Sequence, residues 1–373
     1  MRQTDTISRR QLVAMAFVSV FSPLIRRFPR TLVAAAGRTA WLAIPISVLP
    51  VLLGLLTMWL LFRNKAPGTG FAGLLTDVFG GVLGRIIVGV YALWLIFYTG
   101  FLMRSGAARF ISTVYQGASP WIFVISASLI GGFVALGELK AIARSAMLLR
   151  PMLMAVLALL VILAVKDVDF RLLLPATVSE LPGDGYAALK LANLLSVAGY
   201  FAFLGDRMEG RFRLRDYAGW LAAVLVIIGL MTAVCLGMFG PELTAKMTYP
   251  FFMLARDVTI LGSMERVEPV IIALWIFSDF IFLSALFSIA ARNLRFCLAF
   301  SEPDAPPKLT DLRNGRWLML PCAALVVAAA ALIPGEVPAF ERFSEVVVPA
   351  GNAVMIVAVP LLTLLVGKLR RRI

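Results

Sequence analysis

The chain has 373 residues, 61% of them hydrophobic, with a mean hydropathy of +0.91 and a formal net charge of +14. That apolar fraction excludes a soluble globular fold, because too little polar surface remains to face water. The basic excess does not point to nucleic acid. It gathers at span ends and loops, as in Arg207, Arg211, Arg213 and Arg215 and in the tail Lys368, Arg370, Arg371 and Arg372, where it suits an anionic leaflet.

Runs of about 20 apolar residues, each long enough for ~30 Å of hydrocarbon, recur along the whole sequence. They predict spans at 11–33, 40–62, 83–105, 120–137, 148–165, 187–205, 217–239, 267–290, 316–334 and 345–367. Long continuous runs demand helices, since barrel strands would be short and alternating. The expected fold is an all-α integral membrane protein of about ten transmembrane helices. It forms one polytopic domain over 1–373, with five-helix halves at about 11–165 and 187–367. The Lys and Arg asymmetry places both termini in the cytoplasm.

In chain order, Ser8 and Gln11 have capping-box spacing, which suits a retained first helix rather than a cleaved leader. That helix is interrupted at Phe21, Ser22 and Pro23 and meets Arg26 and Arg27. After KAPGTG (65–70), the amphipathic stretch Phe71–Leu83 predicts a short interfacial helix. Trp94, Phe97 and Tyr98 have the spacing to face a central pocket, or equally to serve packing. Glu138 and Arg144 lie in the connection before the fifth span.

The segment 175–185 opens the second half. Its first span is interrupted at Asn193, Ser196, Gly199 and Tyr200. The stretch 240–269 is too long for a plain loop and predicts a short helix near Phe251–Val258. Glu265, Arg266 and Glu268 begin the eighth span, where acids complement the helix dipole. Asp279 sits in the middle of that span. The segment 301–315 forms the largest inner loop. Cys235, Cys297 and Cys322 lack metal-ligand spacing and read as apolar fillers.

Two spans broken at matching places, one in each half, are the sequence pointer to a transporter-type site at the bilayer midplane. At the first break, Arg26 or Arg27 either pairs an anionic ligand or snorkels at the outer interface. At the second, Gly199 and Ser196 either release backbone toward a ligand or permit close helix packing. Asp279 either protonates reversibly, there being no histidine in the chain, or partners an arginine or a hydroxyl such as Ser284.

Four stretches carry a family resemblance: ISRRQLVAMAF (7–17), FPRTLVAAAGRTAWLAI (28–44), GELKAIARSAMLLRP (137–151) and TYPFFMLARDVTILGSMERVEPVIIALWIF (248–277). Together they resemble the B-subunit family of bacterial spore germinant receptors, within the amino acid–polyamine–organocation superfamily. The resemblance implies a LeuT-like inverted five-plus-five repeat with helices 1 and 6 unwound around the ligand. It also implies residence in the spore inner membrane, recognition of an amino acid or other small nutrient, and A-type and lipoprotein C-type subunits as partners. The family's glycine-containing stretch at the first break is replaced here by SVFSPLIRRFP (19–29).

The expected ligand-binding set is Ser19, Phe21, Ser22, Arg26, Tyr98, Asn193, Ser196, Gly199, Tyr200 and Trp275. The expected proton-coupling or gating set is Asp279, Glu138 and Arg144. The sequence holds no P-loop, no Ser–His–Asp set and no metal cluster, so neither an enzyme nor a cofactor is expected. The function these readings support is a germinant-recognising subunit. The alternatives are an autonomous proton-coupled amino acid permease and a ligand-blind scaffold paralogue.

Overall fold

The computed structural model describes residues 5–113, 117–174, 180–257, 268–298 and 318–372. Among these, seven helices are long and apolar enough to cross a membrane. Helix α1 (Arg9–Ala36) joins them as a bent pair, and α5 (Pro120–Leu136) and α11 (Met319–Ala331) are shorter apolar helices where the fourth and ninth spans were expected. The remaining spans are α2 (Ala43–Phe62), α4 (Gly81–Thr113), α6 (Leu139–Ala164), α7 (Leu181–Ser196), α8 (Leu214–Lys246), α10 (Glu268–Cys297) and α12 (Val337–Leu369). The predicted short helices are α3 (Phe71–Phe79) and α9 (Pro250–Asp257). Glu265 and Arg266, and the loop 301–315, lie outside the described residues.

Ser8 starts α1 as expected. Its side chain accepts from the Gln11 amide while the Gln11 side chain accepts from the Ser8 amide, satisfying two donors the helix leaves open. From Ala14 to Ser22 every residue is buried, so α1 runs through the centre of the bundle rather than along lipid. Pro23 has no N–H to give the Ser19 carbonyl, and its ring crowds the preceding turn. Shortly after it the axis turns by 61°, between Arg9–Leu24 and Arg27–Thr39.

The matching break in the second half is a change of helix type. At Val197, α7 tightens into a 3₁₀ segment running to Arg207, which is long for a geometry normally used in pieces of 3–4 residues. Both discontinuities are therefore helical in form: a bend in one half and an overwound continuation in the other.

The two halves are arranged reciprocally. The first comprises α1, α2, α4, α5 and α6, and the second α7, α8, α10, α11 and α12. A short amphipathic helix follows the second span of each. Helix α3 rests against the Val197–Arg207 segment of the second half, and α9 rests against α1 of the first. At the end that holds both termini, the Ile7 amide donates to the Arg207 carbonyl, the Arg370 guanidinium donates to the Val78 carbonyl, and Arg292 pairs with Asp206. At the opposite end, Arg30 meets Glu341 at 3.4 Å and the Trp41 indole donates to the Leu173 carbonyl.

Two spans run farther than their apolar stretches. Helix α4 continues eight residues past the predicted end at 105, and α6 begins nine residues before 148. Arg109 lies in the α4 extension and Arg144 in that of α6. A guanidinium that finds a partner or reaches the surface does not end a helix.

Candidate functional site

Between α1, α4, α7 and α12, at the end opposite the termini, lies a cavity of ≈ 140 Å³. Pro23 and Arg27 of α1 reach it at the bend. Tyr98 and Ser105 line it from α4, Lys190 and Asn193 from α7, and Glu345 and Asn352 from α12. Both broken helices thus supply walls of one pocket.

A fixed polar relay borders it on the side of the termini. The Trp94 indole N–H donates to the Tyr200 hydroxyl at 2.7 Å, and that hydroxyl donates to Asn352 Oδ1 at 2.7 Å. Tyr200 and Asn352 are buried, so each bond replaces water that neither group can reach. Tyr98 lies parallel to Trp94, with ring centroids 6.4 Å apart and planes 5° from parallel, and holds its place in the wall by stacking. Asn193 Nδ2 donates to the Pro349 carbonyl at 2.7 Å, tying α7 to α12.

The rim carries charge. Arg27 donates to the Ser344 hydroxyl at 3.1 Å, and Lys190 stands 3.7 Å from Glu345. With side chains 20% and 55% exposed, that ion pair contributes little, within about 1 kcal/mol. Lys190 and Glu345 balance one another, so the guanidinium of Arg27 leaves the described lining net positive. Ser344 and Glu345 project from a π turn, Phe343–Val347, and a second π turn, Val354–Ala358, follows Asn352. Each such turn adds a residue to the helical circuit, a distortion that recurs at functional sites. Tyr91 donates to the Met355 carbonyl inside the second one.

A separate cluster lies beside the α1 bend, on α4 and α10. Arg109 and Asp279 form an ion pair with side chains 7% and 25% exposed. The other arm of Arg109 donates to the Ser22 hydroxyl at 3.3 Å, and its guanidinium lies 5.9 Å from the Trp275 ring centre. Asp279 is thus the partner of an arginine, while Ser284 Oγ has no hydrogen-bond partner among the described residues.

The expected site residues divide accordingly. Tyr98 and Asn193 line the cavity, and Tyr200 belongs to its polar relay. Ser196 donates to the Asn193 carbonyl. Gly199 is where α7 meets α12: a Cβ there would stand 2.6 Å from Ile356 Cγ2, the close-packing alternative. Phe21 and Trp275 pack together with Phe251 and Leu153, apart from the cavity. Ser22 joins the Arg109 cluster. Ser19 is buried with its hydroxyl unpartnered among the described residues, as is the Trp275 indole N–H. The Arg26 side chain lies outside the described residues, and Arg27 takes the position at the cavity. Glu138 and Arg144 are exposed at the start of α6. The amides of Leu139 and Lys140 there are capped instead by Asp5, at 3.0 and 3.1 Å.

Sequence reasoning passed over Arg109, Lys190, Glu345 and Asn352. An amide inside the apolar last span was a usable signal for Asn352, since polar side chains at that depth face a protein interior or cavity. A mid-span acid likewise implied a cation such as Arg109.

These features define a transporter-type membrane protein, with an inverted pair of five-helix halves enclosing a small pocket at two broken helices. The family model described as "Spore germination protein" matches residues 6–303, and the chain belongs to that family. No curated protein matches the sequence.

Solved structures share the fold. One is a substrate-bound, outward-open Na⁺-coupled sialic acid symporter: TM-score 0.57, 12% identity, covering 92% of this chain and 79% of that one. Another is Mhp1, a nucleobase-cation-symport-1 family transporter, closed with bromovinylhydantoin bound: TM-score 0.58, 15% identity, covering 100% and 82%. The similarity is one of fold: the chain is a multi-pass membrane protein of the LeuT-like class.

Proposed function

We propose that this chain is the ligand-recognising membrane subunit of a spore nutrient receptor, holding a small nutrient in the cavity between α1, α4, α7 and α12. The observation that carries the reading is the convergence there of both broken helices with a guanidinium and two amides. Arg27 supplies a bidentate partner for a carboxylate, the role the sequence leaves open between Arg26 and Arg27. Asn193 Oδ1 and Glu345 supply acceptors for an ammonium group, so an amino acid is the favoured ligand. Binding acts by stabilising one arrangement of α1, α7 and α12 over another, and only to the extent that affinity differs between them. The termini face the cytoplasm of the dormant spore, and A-type and lipoprotein C-type subunits receive the signal.

The test is thermal stabilisation of the purified protein by amino acids, sugars, nucleosides and small anions, with Arg27→Ala and Asn352→Leu alongside. The expected result is a shift by one ligand class that both variants abolish. A shift that survives both substitutions would place the ligand elsewhere and refute the reading.

One observation favours a second reading, an autonomous proton-coupled permease: an intramembrane carboxylate, Asp279, paired with Arg109 next to the bend. Protonation of Asp279 would release Arg109 and, through it, Ser22. Uptake into proteoliposomes that follows an imposed proton gradient and is lost in Asp279→Asn would establish the carrier.

A further inference from the structure

Beyond the outer pocket, the molecule holds a second and larger cavity, of ≈ 260 Å³, between α4, α5 and α10. Four phenylalanines, Phe110, Phe123, Phe280 and Phe282, contribute to its walls, and Phe110 and Phe123 already meet with ring centroids 4.6 Å apart. Among the described residues, its ionisable lining groups are Arg109 and Asp279, which are paired with each other. Pro23 and Leu102 line both this cavity and the outer pocket, so a thin partition of α1 and α4 separates the two.

We infer that this cavity is a second ligand site, for a small uncharged aromatic molecule. The charge argument comes first. Arg109 and Asp279 neutralise each other, so an ionic ligand would bring an uncompensated charge into apolar walls, at a cost an uncharged one avoids. The shape argument follows. The space corresponds to about nine water volumes at ≈ 30 Å³ each, enough for a one- or two-ring molecule. Aromatic walls favour an aromatic guest, because ring edges and faces pair in offset and T-shaped arrangements that an aliphatic chain cannot make. The ion pair leaves a polar wall for a single hydroxyl or N–H on the guest. Such a guest would bear on Pro23 from the side opposite the outer pocket, and so on the bend that shapes that pocket.

The experiment uses the purified full-length chain in phosphatidylcholine nanodiscs and 5-fluoroindole as the probe, read by ¹⁹F NMR. Two variants fill the cavity from different helices: Gly106→Leu from α4, where a Cβ has only the end of the Arg109 side chain within 4 Å (at 3.8 Å), and Ala127→Phe from α5. Arg27→Ala perturbs the outer pocket alone. The thermal transition of each variant identifies those that fold, and either filler suffices. The expected result is a saturable shift of the fluorine line in the parent and in Arg27→Ala, lost in a folded filler. Saturable binding retained in a folded filler, or lost in Arg27→Ala, overturns the inference. So does a signal that never saturates and grows with lipid content, as it would if acyl chains occupied the space.

Discussion

Replacing Asp279 with leucine takes from the Arg109 guanidinium, which is 7% exposed, its carboxylate partner among the described ion pairs. The Ser22 hydroxyl at 3.3 Å and the Trp275 ring at 5.9 Å remain, but neither neutralises the charge. Breaking one side of a buried pair costs about 3–5 kcal/mol, and the 25% exposure of Asp279 favours the lower end of that range. Replacing both members by apolar residues of similar size removes both charges and is often neutral or better. The double variant Arg109→Met/Asp279→Leu should therefore recover most of the stability lost in the single one. Reversible unfolding in mixed bicelles, followed by tryptophan fluorescence, measures all three proteins. A single-variant loss below about 1 kcal/mol, or a double variant no more stable than the single, would refute the assignment of this pair as a desolvated bridge. A double variant that is stable yet unresponsive to ligand would show that its charges serve the response as well as the fold.

Other expectations follow from particular contacts. Gly351 lies directly under the Trp94 indole, where a Cβ would collide with the ring; Gly351→Ala should cost about 1–3 kcal/mol, and adding Trp94→Phe should recover part of it in the same unfolding assay. Asp5→Ala removes the cap of α6 and should cost about 1 kcal/mol, seen as faster amide exchange at Leu139 and Lys140 with the rest of the protein unchanged. Asn352→Leu leaves the Tyr200 hydroxyl without its acceptor and should lower stability by about 1–3 kcal/mol even without ligand, a loss that Tyr200→Phe and Trp94→Phe together in the same chain should reduce, since they remove every donor of the relay.

The parts of the fold that sequence conveyed well are those set by local chemistry. The Ser8–Gln11 box, the amphipathic Phe71 segment and the Phe251 segment each satisfy or bury their own neighbours, so a short window contains the information. The placement of the breaks was legible for the same reason: Pro23 lacks a donor wherever it sits. The form of the breaks was not. Whether α7 unwinds or tightens depends on what Gly199 and Gly205 press against, Ile356 and the Thr69 carbonyl, which lie far away in sequence. The length of α4 was hidden because Arg104 and Arg109 resemble the charged end of a span, and Asp279, 170 residues on, is the described carboxylate that holds Arg109 inside the bundle. The outer pocket was half legible, its α7 wall from broken apolar patterning and its α12 wall through the intramembrane amide Asn352 alone, since Glu345 acquires meaning only once α12 is laid beside α7.

The burial of α1 has a bearing on how the chain is made. Helix α1, which precedes the rest of the bundle in the chain, makes extensive contacts with α7 and α8, which begin at Leu181 and Leu214. Until those are synthesised, α1 has only α6 of its later large neighbours, and its uninterrupted buried face from Ala14 to Ser22 must wait in lipid or beside the insertion machinery. Non-local closure of this kind delays assembly until the second half exists. A nascent chain stopped after α6 should therefore leave α1 open to proteolysis and to chaperones. The halves, although each holds five apolar helices, are not interchangeable as independent folding units, because the core of the first is completed by the second.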